Sequence, residues 1–250
     1  MTKGIGQEFM EKTQYKSNEM RGGSDQMRGL PQPPLELDYD KTKPVIELPK
    51  PTKIKVKDLS LREAIENRAS IRSYSDQPLT LEELSWLLWC TQGVKEIIAR
   101  PVTLRNVPSA GARHALETYP LVNRVEGLQP GLYRFLAISH KLVAINLEKD
   151  ISEKITEAAL KQPVVRRSAV TFIWTAVAYR MKWRYQERGY RYLHIDAGHV
   201  CQNLYLAAEN INCGVCAVAA FQDEEMNQLL GIDGVEQFAI YLGTVGKKVI

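Results

Sequence analysis

Residues 169–177 read Ala-Val-Thr-Phe-Ile-Trp-Thr-Ala-Val, nine consecutive residues without a charge. β-branched and aromatic side chains favour an extended chain. A run that is apolar at both odd and even positions marks a strand covered on both faces. Two further segments follow it. The stripe Ala197, Val200, Cys201, Leu204, Ala207 and Ala208 recurs at helical spacing and predicts an amphipathic helix over His194–Asn210. Cys213–Ala220 predicts a second buried strand, Asp223 a helix cap through Leu230, and Phe238–Val245 a last strand. Upstream, Leu116–Val122 and Gly131–Ile138 read as strands and Ile151–Leu160 as a helix. Buried strands mixed with helices give an α+β or α/β sandwich of one domain.

Two helix starts are explicit. Ser60-Leu-Arg-Glu63 and Thr80-Leu-Glu-Glu83 are capping boxes, in which the hydroxyl takes a backbone N–H and the glutamate returns to its own cap. Residues 1–57 differ: Pro31, Pro33, Pro34, Pro44, Pro49 and Pro51 break them up, and apolar positions show no period. They read as an extended arm, either mobile or lying on a partner, ahead of a folded domain at 58–250.

The chain has 250 residues and a net charge of +4, too small to point to nucleic acid. Charges interrupt every apolar run before it reaches membrane-spanning length, and the N-terminus lacks the apolar core of a signal peptide, so the expected location is the cytoplasm. Cys213 and Cys216 form a CxxC, but no further ligands stand at zinc spacing, and with Cys90 and Cys201 they read as structural. His194 and His199 are not four apart and do not form a helix-surface metal pair. P-loop, GxGxxG, GxSxG and HExxH patterns are absent.

Three clusters carry possible chemistry. Arg68, Ser70 and Arg72 alternate, so an extended segment presents all three on one side, where guanidinium forks and a hydroxyl suit a phosphate; a solvated basic turn is the alternative reading. Around Pro108, Ser109, Ala110 and Gly111 small side chains let backbone approach a flat ligand, though a plain turn fits equally. Lys247 and Lys248 end the chain as phosphate cations or as a solubilising tail.

Taken together, Arg68-Ala-Ser-Ile-Arg-Ser-Tyr74, Pro108-Ser-Ala-Gly-Ala-Arg-His114, Gly131-Leu-Tyr133, Arg188-Gly-Tyr-Arg-Tyr192 and Asp196-Ala-Gly-His-Val-Cys-Gln-Asn-Leu204 resemble the nitroreductase family, and within it the SagB-type branch. The resemblance implies a three-layer α+β sandwich, its central sheet mainly antiparallel and flanked by helices. It also implies a homodimer with FMN at the interface. Arg68, Ser70 and Arg72 would then hold the FMN phosphate, with Lys247 or Lys248 joining. Ser109–Gly111 would lie against the isoalloxazine, often from the other subunit, and Ala219 and Ala220 would offer N–H groups to the ring. The flavin performs the redox step, so a protein nucleophile is not required.

The implied activity is an FMN-dependent oxidoreductase drawing on NADH or NADPH, with a nitro compound, quinone or metabolite as acceptor. Two alternatives stand beside it: an azoline dehydrogenase in peptide maturation, and a flavin-binding protein without turnover. The azoline-oxidising branch shows a Lys-Tyr pair where this chain has Arg184-Tyr185. Arginine is a poor general base, while Tyr185 keeps a hydroxyl that can hydrogen-bond a substrate.

Overall fold

A computed structural model describes residues 3–15, 22–99 and 101–249. The strand over 169–177 forms as β7 (Val170–Val177), and the sheet is built around it. Label by label, the other strands are β1 (Val45–Glu47), β2 (Val94–Ile98), β3 (Val102–Arg105), β4 (Leu116–Val122), β5 (Gly131–Leu136), β6 (Lys141–Asn146), β8 (Cys213–Val218) and β9 (Gln237–Lys247). Among the described residues, six of these join β7 in one sheet in the order β1-β6-β5-β4-β7-β9-β8, every pair antiparallel, while β2 and β3 form a separate hairpin.

β7 shows why the sheet is covered twice. Phe172, Trp174 and Ala176 belong to one apolar cluster and Ile173 to the other, so alternate residues point into different layers. On the first face lie α3 (Leu81–Gln92) and α7 (Gly189–Glu209), which pack on each other. On the second lie α4 (Ile151–Ala158), α5 (Val164–Arg167) and α8 (Asp223–Leu230). The result is the expected helix–sheet–helix sandwich with an antiparallel core.

Both capping boxes form, at the starts of α2 (Leu61–Asn67) and α3. Three expectations shift. The long helix α7 begins at Gly189, five residues before His194, because the basic-aromatic stretch before it is itself helical: α6 covers Ala178–Tyr185. Asp223 is the first residue of α8 rather than its cap; Gln222 holds that position, and its side chain makes no capping bond. The strand expected to run to Ala220 ends at Val218, leaving Ala219 and Ala220 exposed.

The N-terminal arm carries a short helix, α1 (Ile5–Lys12), and the edge strand β1 paired to β6. Rather than standing off, residues 24–38 lie on their own chain. Arg180 Nε donates to the Pro34 carbonyl at 2.8 Å and Trp183 Nε1 to the Leu30 carbonyl at 3.0 Å. The Leu37 N–H donates to Glu117 at 3.1 Å, and Glu117 also takes the buried Arg180 at 2.6 Å.

Candidate functional site

α2 ends at Asn67 with Arg68 as its C-cap, and the chain then runs extended beside β8. Ser70 bridges Val215 in parallel, and the Ile71 N–H donates to the Val215 carbonyl at 2.9 Å. Two glycines make this close course possible. Gly214 and Gly246 are cross-strand partners. A Cβ on Gly214 would stand 2.5 Å from Ile71, and one on Gly246 2.6 Å from Tyr74. The missing side chains are the groove in which residues 71–74 lie.

That course sets Arg68 and Ser70 around Tyr205 of α7. The Arg68 guanidinium carbon lies 5.4 Å from the Tyr205 ring centre, and the Ser70 hydroxyl is 3.0 Å from the Tyr205 hydroxyl. The Tyr205 oxygen accepts the Ala217 N–H at 2.9 Å. Arg72 approaches Cys216, whose thiol is pushed up by burial and eased down by that cation. Among the described residues neither Arg68 nor Arg72 pairs with a carboxylate, and Ser70 and Arg72 are exposed. Arg68 and Ser70 thus gather at Tyr205 and Arg72 lies beside Cys216, with neither guanidinium compensated by a carboxylate among the described residues. This donor set suits a phosphate and accepts no cation.

Lys247 and Lys248 are placed differently. The Lys247 ammonium is buried against Glu83 and donates to the Ile211 carbonyl at 2.9 Å, while Lys248 meets Glu209 at 2.6 Å. Both charges are thus neutralised by helix carboxylates.

The small-residue loop forms a second group, further along α7. Asp196, 4% exposed, accepts the Ser109 hydroxyl at 2.5 Å and the Ala110 N–H at 3.3 Å. Burial raises its pKa, against which the Ser109 and Ala110 bonds work. The Ser109 oxygen in turn accepts the His114 N–H at 2.9 Å. Pro108 stays exposed at the mouth of this turn. Gly111 takes φ 57°, ψ 24°, and a Cβ there would meet the Tyr185 hydroxyl at 2.5 Å and Arg184 at 3.0 Å. The loop and the Arg184-Tyr185 pair are therefore in direct contact. Arg184 donates to Gln26 of the arm at 3.2 Å, and the Tyr185 ring meets Tyr192 edge-on at 4.8 Å. Asp196 and Tyr205 are nine residues apart on one helix, about 14 Å along its axis.

Tyr205, Ala217 and Asp196 escaped the sequence reading as site residues. Asp196 had a signal: it is an acid on the buried stripe of α7 beside Ala197 and Val200, where an ionisable group needs partners. Tyr205 had none, because its role depends on the chain course after Arg68. The cysteines are structural in placement. Cys201, Cys213 and Cys216 are buried, and burial pushes Cys90, Cys201 and Cys213 up to about 12, far from the reactive thiolate range. Among the described residues no cluster of His, Cys, Asp and Glu fits a metal, and no helix is long and apolar enough to cross a membrane.

An antiparallel sheet covered by helices on both faces defines an α+β sandwich, here with Arg68 and Arg72 near β8. The Nitroreductase family model matches residues 65–247, and the chain belongs to that family; it is an oxidoreductase. It is 35% identical over 204 residues to MJ1384 of Methanocaldococcus jannaschii, a proposed nitroreductase, covering 82% of this chain and 96% of that one. It is 30% identical over 131 residues to the trifolitoxin-processing protein TfxB of Rhizobium leguminosarum bv. trifolii, covering 51% of this chain and 35% of TfxB. The crystal structure of a proposed nitroreductase from Anabaena variabilis superposes with a TM-score of 0.67 at 28% identity, over 84% of this chain and 42% of the Anabaena chain.

Proposed function

We propose that this chain binds FMN and passes electrons from NADH or NADPH to a small organic acceptor, a nitro compound, quinone or metabolite, as a homodimer with flavin at the interface. What supports the reading is that Arg68 and Ser70 gather at Tyr205 and Arg72 lies beside Cys216, with no carboxylate partner for either arginine among the described residues. These three residues hold the flavin phosphate. FMN supplies the hydride chemistry when bound. The chain's own part is to bind, orient and tune. Ser109–Gly111, stiffened by Asp196, presents a flat surface to the ring system of the partner subunit's flavin. Ala219 and Ala220 offer backbone N–H groups that favour negative charge on the reduced ring. Lys247 and Lys248 stay outside the phosphate contact, since both ammonium groups are already neutralised.

A second reading is favoured by the similarity to TfxB, a toxin-processing protein: oxidation of a ring in a ribosomal peptide, the activity associated with the SagB-type branch. Arg184 then stands where a base is needed, and Tyr185, touching the Gly111 loop, is the remaining proton-handling group.

The test is the absorbance spectrum of the purified chain after incubation with FMN, before and after NADH and NADPH. A flavin band that bleaches with either nucleotide is expected, and Arg68→Ala with Arg72→Ala should lower FMN affinity at least a hundredfold. Flavin held equally by the double variant overturns the phosphate assignment. Flavin that stays oxidised with both nucleotides overturns the electron donor and leaves a flavin-binding protein without NAD(P)H turnover.

A further inference from the structure

On the second face of the sheet lies a cavity of about 450 Å³, separate from both clusters described above. Its walls come from β4, β5 and β6 and from the turn after α8, and residues 37–43 of the arm close one side. Tyr119, Ile145, Leu230 and Ile232 make it largely apolar.

Arg134 of β5 lines this cavity with only 5% of its surface exposed. Its Nη2 donates to the Leu37 and Asp38 carbonyls, each at 2.9 Å. Its Nε is buried without a hydrogen-bond partner; the guanidinium also meets Tyr119 and lies in the field of Glu36 and Asp38, but among the described residues it makes no ion pair within 4 Å. Buried cations are normally paired, because desolvating a lone charge is costly. Elsewhere, the buried Arg180 has its carboxylate in Glu117, and the buried Arg105 bonds Thr103, Gln92 and the Leu35 carbonyl. Arg134 is thus an oriented cation beside an apolar cavity, with its Nε unbonded.

The charges at the rim narrow the ligand. Asp38 is held by Lys41 at 2.6 Å and by the Tyr39 N–H at 2.8 Å, and Asp40 is bound by Thr42 at 2.7 Å. Both are exposed, as is Lys43. Lys41 and Lys43 balance the two acids, so the rim carries no net charge, and a second carboxylate on a ligand held at Arg134 would lie unpaired against the apolar wall.

We propose that this cavity is a binding site for a small amphipathic monocarboxylate, its carboxylate on Arg134 and its apolar part against Ile145, Leu230 and Ile232. The arm completes the site, since Leu37 and Asp38 both orient Arg134. The proposal does not rest on the flavin reading.

The test is calorimetric titration of the full chain, with FMN in excess and no nicotinamide, using hexanoate, hexanol and adipate. Hexanoate should bind once per chain, at least tenfold tighter than either hexanol or adipate. Arg134→Gln should erase the preference over hexanol. Because that change also loosens the arm, Ile145→Trp provides a second arm of the test: it fills the cavity, leaves Arg134 in place, and should abolish hexanoate binding. No binding of hexanoate, equal binding of hexanoate and hexanol, or unchanged binding by Ile145→Trp overturns the proposal. Equal binding of adipate overturns the restriction to monocarboxylates. Every readout is binding alone, so a chain that fails to take up or reduce flavin leaves the result standing.

Discussion

His114 stands two residues before β4 at φ 42°, with 5% of its surface exposed. Burial first, then the positive field of Arg105 and Arg113, drives its pKa from 6.5 down to about 3. The folded protein therefore refuses a proton that the unfolded chain accepts. Between pH 6.5 and about 3 the unfolded state binds more protons, so stability falls as pH falls through that window. By pH 4 the loss reaches about 3 kcal/mol, an upper figure that water penetration would reduce. Urea unfolding at pH 7 and pH 4 measures it. His114→Asn, which tolerates a left-handed backbone, should flatten the difference; an unchanged slope would mean other groups carry it. The neighbouring Asp196 has the opposite sense. Its folded pKa is raised, so its ionised form costs stability above that pKa and the cost is relieved as pH falls toward 3.8. Both groups bear on the same turn, because Ser109 bonds Asp196 on one side and the His114 N–H on the other.

The element that shapes the candidate phosphate site is the extended segment after α2. Its residues were legible as two cations flanking a hydroxyl, and the chain after Arg68 does run extended beside β8. Its path was not legible, since it depends on two glycines about 140 and 175 residues downstream that leave a groove across β8 and β9. Gly214→Ala tests that dependence. A Cβ 2.5 Å from Ile71 must push the segment off β8, so FMN affinity should drop at least tenfold while α7 and the sheet remain. Thermal unfolding should show a modest loss, about 1–3 kcal/mol as for other overpacked sites. Normal flavin affinity in Gly214→Ala would show that the segment's course is set elsewhere. The helices were easier. Capping boxes at Ser60 and Thr80 are local chemistry, and both formed as read. The start of α7 was harder, because Arg188–Tyr192 are basic and aromatic and hide a helix whose buried face is carried by Gly189 and Leu193.

For the whole molecule the arm is the feature that sequence placed least well. Prolines and the lack of a period suggested an extended form, yet the arm holds the helix α1, and where it lies is set by donors on the folded body. Arg180, Trp183 and Arg134 all spend N–H groups on carbonyls between Leu30 and Asp38. Deleting residues 1–40 strands those buried donors, each costing about 1–3 kcal/mol. The truncated chain should therefore lose several kcal/mol in urea unfolding; an unchanged midpoint would make the arm a passive cover.

The amino-acid sequence alone determined that β7 is covered twice, that helices flank it, and that cations and small residues sit in two clusters, because periodicity and residue chemistry are local properties. Tertiary structure decided the rest. It neutralised Lys247 and Lys248 with Glu83 and Glu209, brought Tyr205 to Arg68 and Ser70, and set Gly111 against Arg184 and Tyr185. Each of those outcomes joins residues far apart in the chain, and only the packing of α3, α7 and the last strands fixes which charges meet and which are left free for a ligand.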